Sequence, residues 1–216
     1  PMSEAAVRAN ARVLRMLLEA GADVDSPNEE GQTALMVVAR TSKVDAAKLL
    51  LERGADLNAR EARKGQTALM WASAQSRPEM VRVLVEHGAD VNARSSSYEW
   101  ERRVTAEPRT KHVPSGGFTP LLYATREGCA ECARVLLDAG ADIEMTDPDG
   151  ISPLLSALLN ARFDTAKLLL ERGANPNKWD WWGRTPLYAA IDYNTLPHGG
   201  RPDRPSLDGT TALEMA

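Results

Sequence analysis

Cysteine and long apolar runs are both scarce in this sequence, and their scarcity excludes several classes of protein. The 216 residues include two cysteines, Cys129 and Cys132, which are too few for the disulfide framework of a small secreted domain. No apolar run reaches the roughly 18 residues of a membrane span, and no signal peptide is recognisable in the first residues. We therefore expect no membrane insertion. The cytoplasm is the favoured compartment, with the periplasm or the exterior left open if a signal peptide has been removed.

Basic charge is scarce as well. The chain carries 26 Lys and Arg residues against 30 Asp and Glu residues, which gives a formal net charge of −4. Because a mildly acidic chain has no general attraction to phosphate backbones, we predict no nucleic-acid partner. Aromatic residues make up 5% of the chain, yet they include five tryptophans, so the positions of those tryptophans are informative.

Internal repetition is what the sequence has in abundance. A six-residue segment occurs in five variants (AGADVD, RGADLN, HGADVN, AGADIE and RGANPN), which begin at Ala20, Arg53, His87, Ala139 and Arg172. A second segment, Gly-x-[Thr/Ser]-[Pro/Ala]-Leu, recurs at a nearly constant interval, except for one longer interval between its second and third copies. These copies begin at Gly31, Gly65, Gly117, Gly150 and Gly183. Apolar residues at helical spacing precede each copy of the first segment, which predicts stacked helical hairpins.

The period of about 33 residues, with Thr-Pro-Leu at the start of the first helix, resembles the ankyrin repeat, whose usual motif is T-P-L-H-x-A. The resemblance covers nearly the whole chain. The His of the motif is replaced by Met36, Met70, Leu122, Leu155 and Tyr188, and its Pro by Ala34 and Ala68. The resemblance implies an all-α solenoid of five to six helix-turn-helix units with β-hairpin fingers.

Residue types at fixed positions of the repeat support the same architecture. A hydroxyl side chain can cap each first helix at Thr33, Thr67, Thr119, Ser152 and Thr185. Proline then occupies the first helical position, where no N–H is needed, at Pro120, Pro153 and Pro186. A glycine can end each second helix at Gly21, Gly54, Gly88, Gly140 and Gly173.

Because no single repeat can bury its own apolar face, we predict one domain over residues 1–216. Its repeats span about 1–30 (partial), 31–64, 65–116, 117–149, 150–182 and 183–216. Both ends look incomplete, which favours a fragment of a longer array over ends that another segment covers. We expect a monomer.

The repeat at 65–116 is longer than its neighbours by more than half a repeat, and the excess lies in an insertion at 95–116. One interpretation is a disordered or hairpin-like surface loop without a partner. The other is an elongated finger that overhangs the groove, because long loops in compact domains are often functional. Residue types that are enriched in binding hot spots occur there at Tyr98, Trp100, Arg102 and Arg103.

The finger at 178–184 carries three tryptophans where small polar residues are usual: Trp179, Trp181 and Trp182. One or two of them can pack inward. Since successive side chains of an extended segment point to opposite sides, we expect at least one to be exposed and to indicate a partner. Prolines and glycines predict a second insertion at 194–209, with a helix resuming near Thr210. Together these features resemble a subset of bacterial ankyrin-repeat proteins.

No feature of the sequence indicates catalysis. The three histidines, His87, His112 and His198, have no Ser or Cys at a recognisable catalytic spacing. The Cys129-Ala-Glu-Cys132 motif lacks the second ligand pair of a zinc site and the βαβ context of a thioredoxin-like protein. We therefore expect both cysteines to pack as small hydrophobic residues, and we predict no metal and no cofactor. An enzyme that uses the histidine-bearing insertions is left as a remote alternative.

The resemblance implies that fingers and first helices line a concave groove on which partners dock. The matching positions in this sequence are Arg63, Lys64, Gln66, Gln75, Phe118, Arg126, Glu127, Asp149, Ile151, Leu159, Asn160, Trp181, Trp182, Arg184, Asp192 and Tyr193. Among these, an exposed apolar strip rimmed by charge is expected to comprise Phe118, Ile151, Leu159, Tyr193 and the two tryptophans. The predicted function is a module that binds another protein or peptide without catalysis. The alternative is a targeting or structural segment of a larger protein whose enzymatic domain lies outside this chain.

Overall fold

A computed structural model describes residues 6, 11–103 and 110–195, with the backbone alone at 99–103, 110–114 and 193–195. Its helices are α1 (Ala11–Glu19), α2 (Ala34–Ala39), α3 (Val44–Glu52), α4 (Ala68–Ala74), α5 (Pro78–Glu86), α6 (Pro120–Glu127), α7 (Ala130–Asp138), α8 (Pro153–Leu159), α9 (Phe163–Glu171) and α10 (Pro186–Thr195). Two strands, β1 (Ser97–Arg103) and β2 (Thr110–Gly116), lie between α5 and α6. None of the described helices has the length and hydropathy to cross a membrane.

The helices form two layers. The even-numbered helices are the first helices of their repeats, and they pack in succession, α2 on α4, α4 on α6, α6 on α8 and α8 on α10. The odd-numbered second helices do the same, α1 on α3, α3 on α5, α5 on α7 and α7 on α9. Each first helix from α2 to α8 also packs against the second helix that follows it. The predicted all-α solenoid is thus confirmed, because the described helices form a linear stack and do not surround a single centre.

The predicted caps of the first helices are confirmed. The hydroxyl oxygens of Thr33, Thr67, Thr119, Ser152 and Thr185 each accept the backbone N–H three residues later, at 3.2 to 3.4 Å. The three prolines begin α6, α8 and α10 as expected. Each cap satisfies an N–H that the helix itself leaves open, so the start of a first helix follows from local chemistry.

The ends of the second helices also agree with the sequence. The five predicted glycines have φ angles between 84° and 92°, in the left-handed region that favours glycine. The polar residues that follow connect the repeats. The backbone N–H groups of Asp56, Asp90, Asp142 and Asn175 donate to side-chain oxygens one repeat earlier, on Asp25, Asn58, Asn92 and Glu144. This ladder explains why a polar residue closes the six-residue segment in every copy.

Apolar residues from both layers form the core. One buried cluster extends from Ala6 through α7, and a second joins α8, α9 and α10. The leucine that follows the helix-starting position is at most 1% exposed in α2, α4, α6 and α8, whereas the equivalent Leu187 of α10 is 50% exposed. A first helix inside the stack is covered by its own second helix and by the next repeat.

The insertion of the third repeat forms an antiparallel hairpin. Its strands pair from Ser97 opposite Gly116 to Arg103 opposite Thr110. The base is closed by Ser95, whose N–H donates to the carbonyl oxygen of Phe118 at 2.9 Å and whose hydroxyl accepts the N–H of Phe118 at 2.9 Å. The paired strands fit either interpretation, a hairpin-like surface loop without a partner or an elongated finger. The tip, residues 104–109, lies outside the described residues.

The second insertion begins later than predicted. Helix α10 includes Asn194 and Thr195, which we had placed in the loop. The helix can continue to that point because the first proline is Pro197, which restricts the residue immediately before it. Residues 196–216, with His198 and the helix predicted near Thr210, lie outside the described residues, as do residues 1–5 and 7–10.

Candidate functional site

A cavity of about 470 Å³ lies between the hairpin and the first helices α4 and α6. The helices contribute Trp71, Ala74 and Gln75 from α4, and Tyr123, Arg126 and Glu127 from α6. The fingers and the hairpin contribute Lys64, Gln66, Ser95, Ser96, Tyr98, Ser115, Gly116 and Phe118. The lining therefore combines four aromatic rings with two cations, one carboxylate and several small polar groups, a composition typical of binding pockets.

A buried carboxylate organises the finger before α4. Glu61 is 4% exposed, and its two oxygens accept the backbone N–H groups of Arg63, Lys64 and Gln66. The turn is thereby held in one conformation, with Lys64 at the edge of the cavity and Gln66 inside it. The side-chain amide of Gln66 donates to the hydroxyl oxygen of Tyr123 at 2.6 Å, which connects this finger to α6.

Arg126 is surrounded by aromatic rings. Its guanidinium carbon lies 5.3 Å from the ring centroids of both Phe118 and Tyr123, and those two rings are 5.3 Å apart. Its Nε also donates to the Glu127 carboxylate at 3.1 Å. Contacts of this kind contribute about 0.5 to 2 kcal/mol each, depending on solvation, and they restrict the arginine to one position. The cavity wall is therefore ordered before any partner arrives.

The opposite wall carries a second ring with a cation above it. The guanidinium carbon of Arg40, from the preceding repeat, lies 4.9 Å from the ring centroid of Trp71. Trp71 and Tyr123 occupy the same position of successive repeats, where the other first helices have Val37, Ser156 and Ala189. Sequence reasoning missed both residues. This run of two aromatics at one repeat position is the signal that would have found them.

Seven of the predicted contact residues line the cavity: Lys64, Gln66, Gln75, Tyr98, Phe118, Arg126 and Glu127. Gln66 is 5% exposed, and its amide is bonded to Tyr123. Arg63 is exposed in the same finger as Lys64. The backbone of Trp100, Arg102 and Arg103 belongs to β1 and that of His112 to β2, but their side chains lie outside the described residues.

The tryptophan finger is exposed to a greater extent than predicted. Trp179, Trp181 and Trp182 are 68%, 41% and 47% exposed, and the rings of Trp181 and Trp182 meet edge to face at a centroid distance of 4.7 Å. The buried carboxylate of Asp180 holds the turn. It accepts the N–H groups of Trp182 and Arg184 and pairs with the Arg184 guanidinium at 2.6 Å. The two predicted contacts Trp181 and Trp182 thus stand on an ordered finger.

The predicted exposed apolar strip is not formed as expected. Phe118, Ile151 and Leu159 are half-buried, because Phe118 packs beside Tyr123 and the other two pack against the core of the last repeats. Asn160 ends α8 and donates from its side chain to the carbonyl of Ser156, while Asp192 is half-buried in α10. The side chain of Tyr193 lies outside the described residues. The tryptophans and the hairpin cavity are consequently two surfaces, not one strip.

Three buried aspartates lie in the last two described fingers. Asp147 and Asp149 are 8% exposed and Asp180 is 1% exposed, so Asp149 is not the open groove contact we predicted. The pKa of Asp147 is raised to about 6, mainly by burial and also by the charges of Asp149 and Asp180, against the lowering effect of backbone hydrogen bonds. Within residues 11–103 and 110–195, no three His, Cys, Asp or Glu side chains are arranged to hold a metal ion.

The two cysteines are joined in a disulfide between Cys129 and Cys132. Cys132 is fully buried, as expected for a small hydrophobic residue, whereas Cys129 is half-buried and the bond between them was not predicted. Cys129 caps α7, and the N–H of Cys132 points at its sulfur at 3.2 Å. The first turn of a helix brings residues i and i+3 together, which makes the cross-link possible without any rearrangement of the fold.

Comparison with known protein families gives matches over most of the chain. The family described as "Ankyrin repeats (3 copies)" matches residues 2–95 and 140–199, and "Ankyrin repeat" matches residues 116–148. Residues 96–115, which include β1 and most of β2, fall between the matched segments. No curated protein matches the chain. The hairpin that covers the cavity therefore lies largely outside the segments that match the ankyrin-repeat models.

Proposed function

The chain belongs to the ankyrin-repeat family, and we propose that it binds a protein partner in the hairpin cavity, with the tryptophan finger as a second contact. Ankyrin repeats are generally protein–protein interaction modules. The single observation that carries the finer proposal is the 470 Å³ cavity that an inserted hairpin forms with α4 and α6. The proposal involves no catalytic step. It also holds that the chain is a monomer and, from the resemblance described above, that its source is bacterial.

The ordered walls of the cavity support this proposal. Arg126 is held by two rings and a carboxylate, and Gln66 is held by Tyr123. A partner that enters such a site loses its own freedom but imposes little ordering on the protein, which favours affinity. The volume accommodates a few side chains of an extended segment. Tyr98 and Lys64, both exposed, are placed to contact that segment at the rim.

The tryptophan finger supports a partner larger than one short segment. Trp181 and Trp182 present a paired aromatic surface next to Trp179, and a large exposed apolar patch is characteristic of an interaction site. Tryptophan and arginine are also the residues that most often dominate binding energy. We therefore place the centre of the interface in the cavity and a separate anchor at this finger.

A displayed library of random peptides tests the cavity directly. Peptides are selected on the unmodified chain, and their affinities are then measured for the Lys64→Ala/Tyr98→Ala variant and for a control, Met16→Ala/Lys48→Ala. The control removes one exposed lysine and one large exposed apolar side chain far from the cavity. We expect the cavity variant to bind at least about tenfold more weakly and the control to bind normally. Equal affinities for both variants, with unchanged thermal unfolding, would contradict the cavity site.

The tryptophan anchor requires a folded partner and a separate variant. A displayed library of small folded domains is selected on the unmodified chain, and each selected domain is tested on Trp181→Ala/Trp182→Ala. We expect a loss of about tenfold or more for domains that also depend on Tyr98, with little change in the thermal unfolding of the chain. If no selected domain distinguishes this variant from the unmodified chain, the tryptophan finger is not part of the interface.

A further inference from the structure

We propose that Cys129 and Cys132 form a reversible thiol–disulfide site that exchanges with low-molecular-weight thiols. The proposal is independent of the partner-binding function. It stands on the disulfide itself and on the unequal exposure of its two sulfurs, because Cys129 is half-buried at the start of α7 while Cys132 is fully buried. Because only residue 129 of the pair is partly exposed, we assign its sulfur as the one that a small thiol attacks.

The other repeats show that this arrangement is not required by the fold. The residues equivalent to Cys129 at the starts of α3, α5 and α9 are Lys43, Arg77 and Arg162, and none of them makes a side-chain cap hydrogen bond. The position of Cys132 is occupied by Ala46, Met80 and Thr165, each 1% exposed. A second helix of this stack consequently forms without a cysteine at either position. The two cysteines are therefore not needed for the fold, and what they contribute is a reactive disulfide.

The cross-link also contributes little that a structural disulfide usually provides. It closes a loop of four residues within one helical turn, whereas disulfide stabilisation by loop closure increases with the length of the loop. It connects no repeat to another, because both sulfurs belong to the first turn of α7. Opening the bond should therefore leave the stack folded, which is the condition for a reversible site.

The surroundings of Cys129 stabilise a thiolate once the bond is open. Cys129 stands at the N-terminus of α7, where the helix dipole places partial positive charge. The side chain of Arg162 lies against Gly128, the residue before Cys129. A Cβ atom at Gly128 would be only 2.5 Å from the Cδ of Arg162. Its Nε donates to the carbonyl oxygen of Arg126 at 3.2 Å, which holds this side chain beside Gly128. Helix N-termini and nearby arginines both favour thiolates.

The exchange is a two-electron reaction in two steps. A thiolate of the small thiol attacks the sulfur of Cys129, a mixed disulfide forms, and the Cys129–Cys132 bond breaks. Cys132 leaves with the electron pair and takes up a proton. A second thiolate then attacks the small-molecule sulfur of the mixed disulfide, which releases Cys129 as a thiolate and the oxidised small disulfide. The two small thiols lose the two electrons that the protein sulfurs gain, and the oxidised small disulfide reverses both steps.

The test equilibrates the native chain with reduced and oxidised glutathione, traps free thiols by alkylation, and counts them by intact mass. Because two glutathione molecules are consumed, we expect the dithiol fraction to rise from about one tenth to nine tenths over a roughly hundredfold change in [GSH]²/[GSSG]. The same curve should be reached from the oxidised and the reduced side. A disulfide that opens only after the chain is unfolded in denaturant would overturn the proposal.

Two single-cysteine variants test the direction of attack. The half-buried Cys129 remains in Cys132→Ala, whereas Cys129→Ser keeps an oxygen as helix cap and leaves the buried Cys132. We expect glutathionylation by oxidised glutathione to be at least about tenfold faster in Cys132→Ala. Circular dichroism confirms that each variant is folded before its rate is compared. Equal rates in two folded variants would contradict the assignment of Cys129 as the attacked sulfur.

Discussion

At the scale of single residues, side-chain acceptors give the fingers their shape. Asn28, Glu61, Asp147 and Asp180 each accept backbone N–H groups of the turn that follows them. Glu61 lies one repeat after Asn28, and Asp180 lies one repeat after Asp147, so one repeat position serves the same purpose with different side chains. The hydrogen bonds need an acceptor oxygen, and they do not need a charge.

Asp147 tests whether these turns need only an acceptor oxygen or also a negative charge. Its pKa of about 6 in the folded chain, against an ordinary value of 3.8, means that the folded state holds the proton more tightly than the unfolded state. Ionisation therefore lowers the free energy of unfolding as the pH rises through about 6. Asp147→Asn retains the acceptor and cannot ionise. We expect it to be more stable than the unmodified chain by on the order of 1 to 3 kcal/mol at a pH of about 8, as measured by urea unfolding.

The advantage of Asp147→Asn should disappear as the pH falls from 6 towards 4, where the native aspartic acid becomes neutral. Asp142→Asn is the matched control. It removes the same charge from an exposed position where the next repeat already has Asn175. The control should show no such dependence on pH. Identical pH profiles for the two variants would show that burial of the Asp147 carboxyl is not the cause.

At the scale of elements, the short first helices depend on their caps. Helix α6 has eight residues, too few for a stable isolated helix, and its buried cap Thr119 accepts the N–H of Leu122 at 3.2 Å. We expect Thr119→Ala to reduce the free energy of unfolding by about 1 to 2 kcal/mol in urea. Thr119→Ser keeps the oxygen, as Ser152 does one repeat later, and should cost less. A serine variant as unstable as the alanine variant would mean that the lost methyl group, not the cap, is responsible.

Among the elements, the helices could be predicted from the sequence and the pairing of the hairpin strands could not. Caps, prolines and glycines act through bonds to residues a few positions away, so the helix boundaries could be predicted well. The pairing of the hairpin strands could not, because apolar and polar residues alternate only over SYEWE in β1 and do not alternate in TKHVPSG of β2. Its strands pair because the stack brings their ends together at Ser95 and Phe118. The tertiary structure therefore supplies the closure that makes a polar hairpin possible.

At the scale of the whole molecule, the linear stack predicts which repeats lose stability when a buried leucine is replaced. Leu14 in α1 and Leu84 in α5 are both 0% exposed, but α5 packs between α3 and α7, whereas α1, within residues 11–103 and 110–195, packs on α3. We expect Leu84→Ala to lower the free energy of unfolding of the neighbouring repeats by about 2 to 5 kcal/mol. Leu14→Ala should mainly increase fraying of α1, since each repeat contacts only its neighbours.

Native-state hydrogen exchange followed by mass spectrometry distinguishes these two outcomes, because it reports the protection of each helix separately. In Leu14→Ala, the loss of protection should be confined to α1 and α3, which pack together. In Leu84→Ala, it should extend to the helices on both sides of α5. An equal loss of protection in α8 and α9 for both variants would contradict one-dimensional coupling.

The sequence by itself determined the repeats, the starts and ends of their helices, and the apolar faces that stack, because these depend on contacts within about one turn and recur from one repeat to the next. The tertiary structure alone decided that Gln66 and Phe118 turn into a cavity wall and that three tryptophans stay outside. It also decided that Cys129 and Cys132 share a bond. Whether a polar or aromatic side chain is covered depends on what the neighbouring repeat places opposite it, and no periodicity within one segment carries that information.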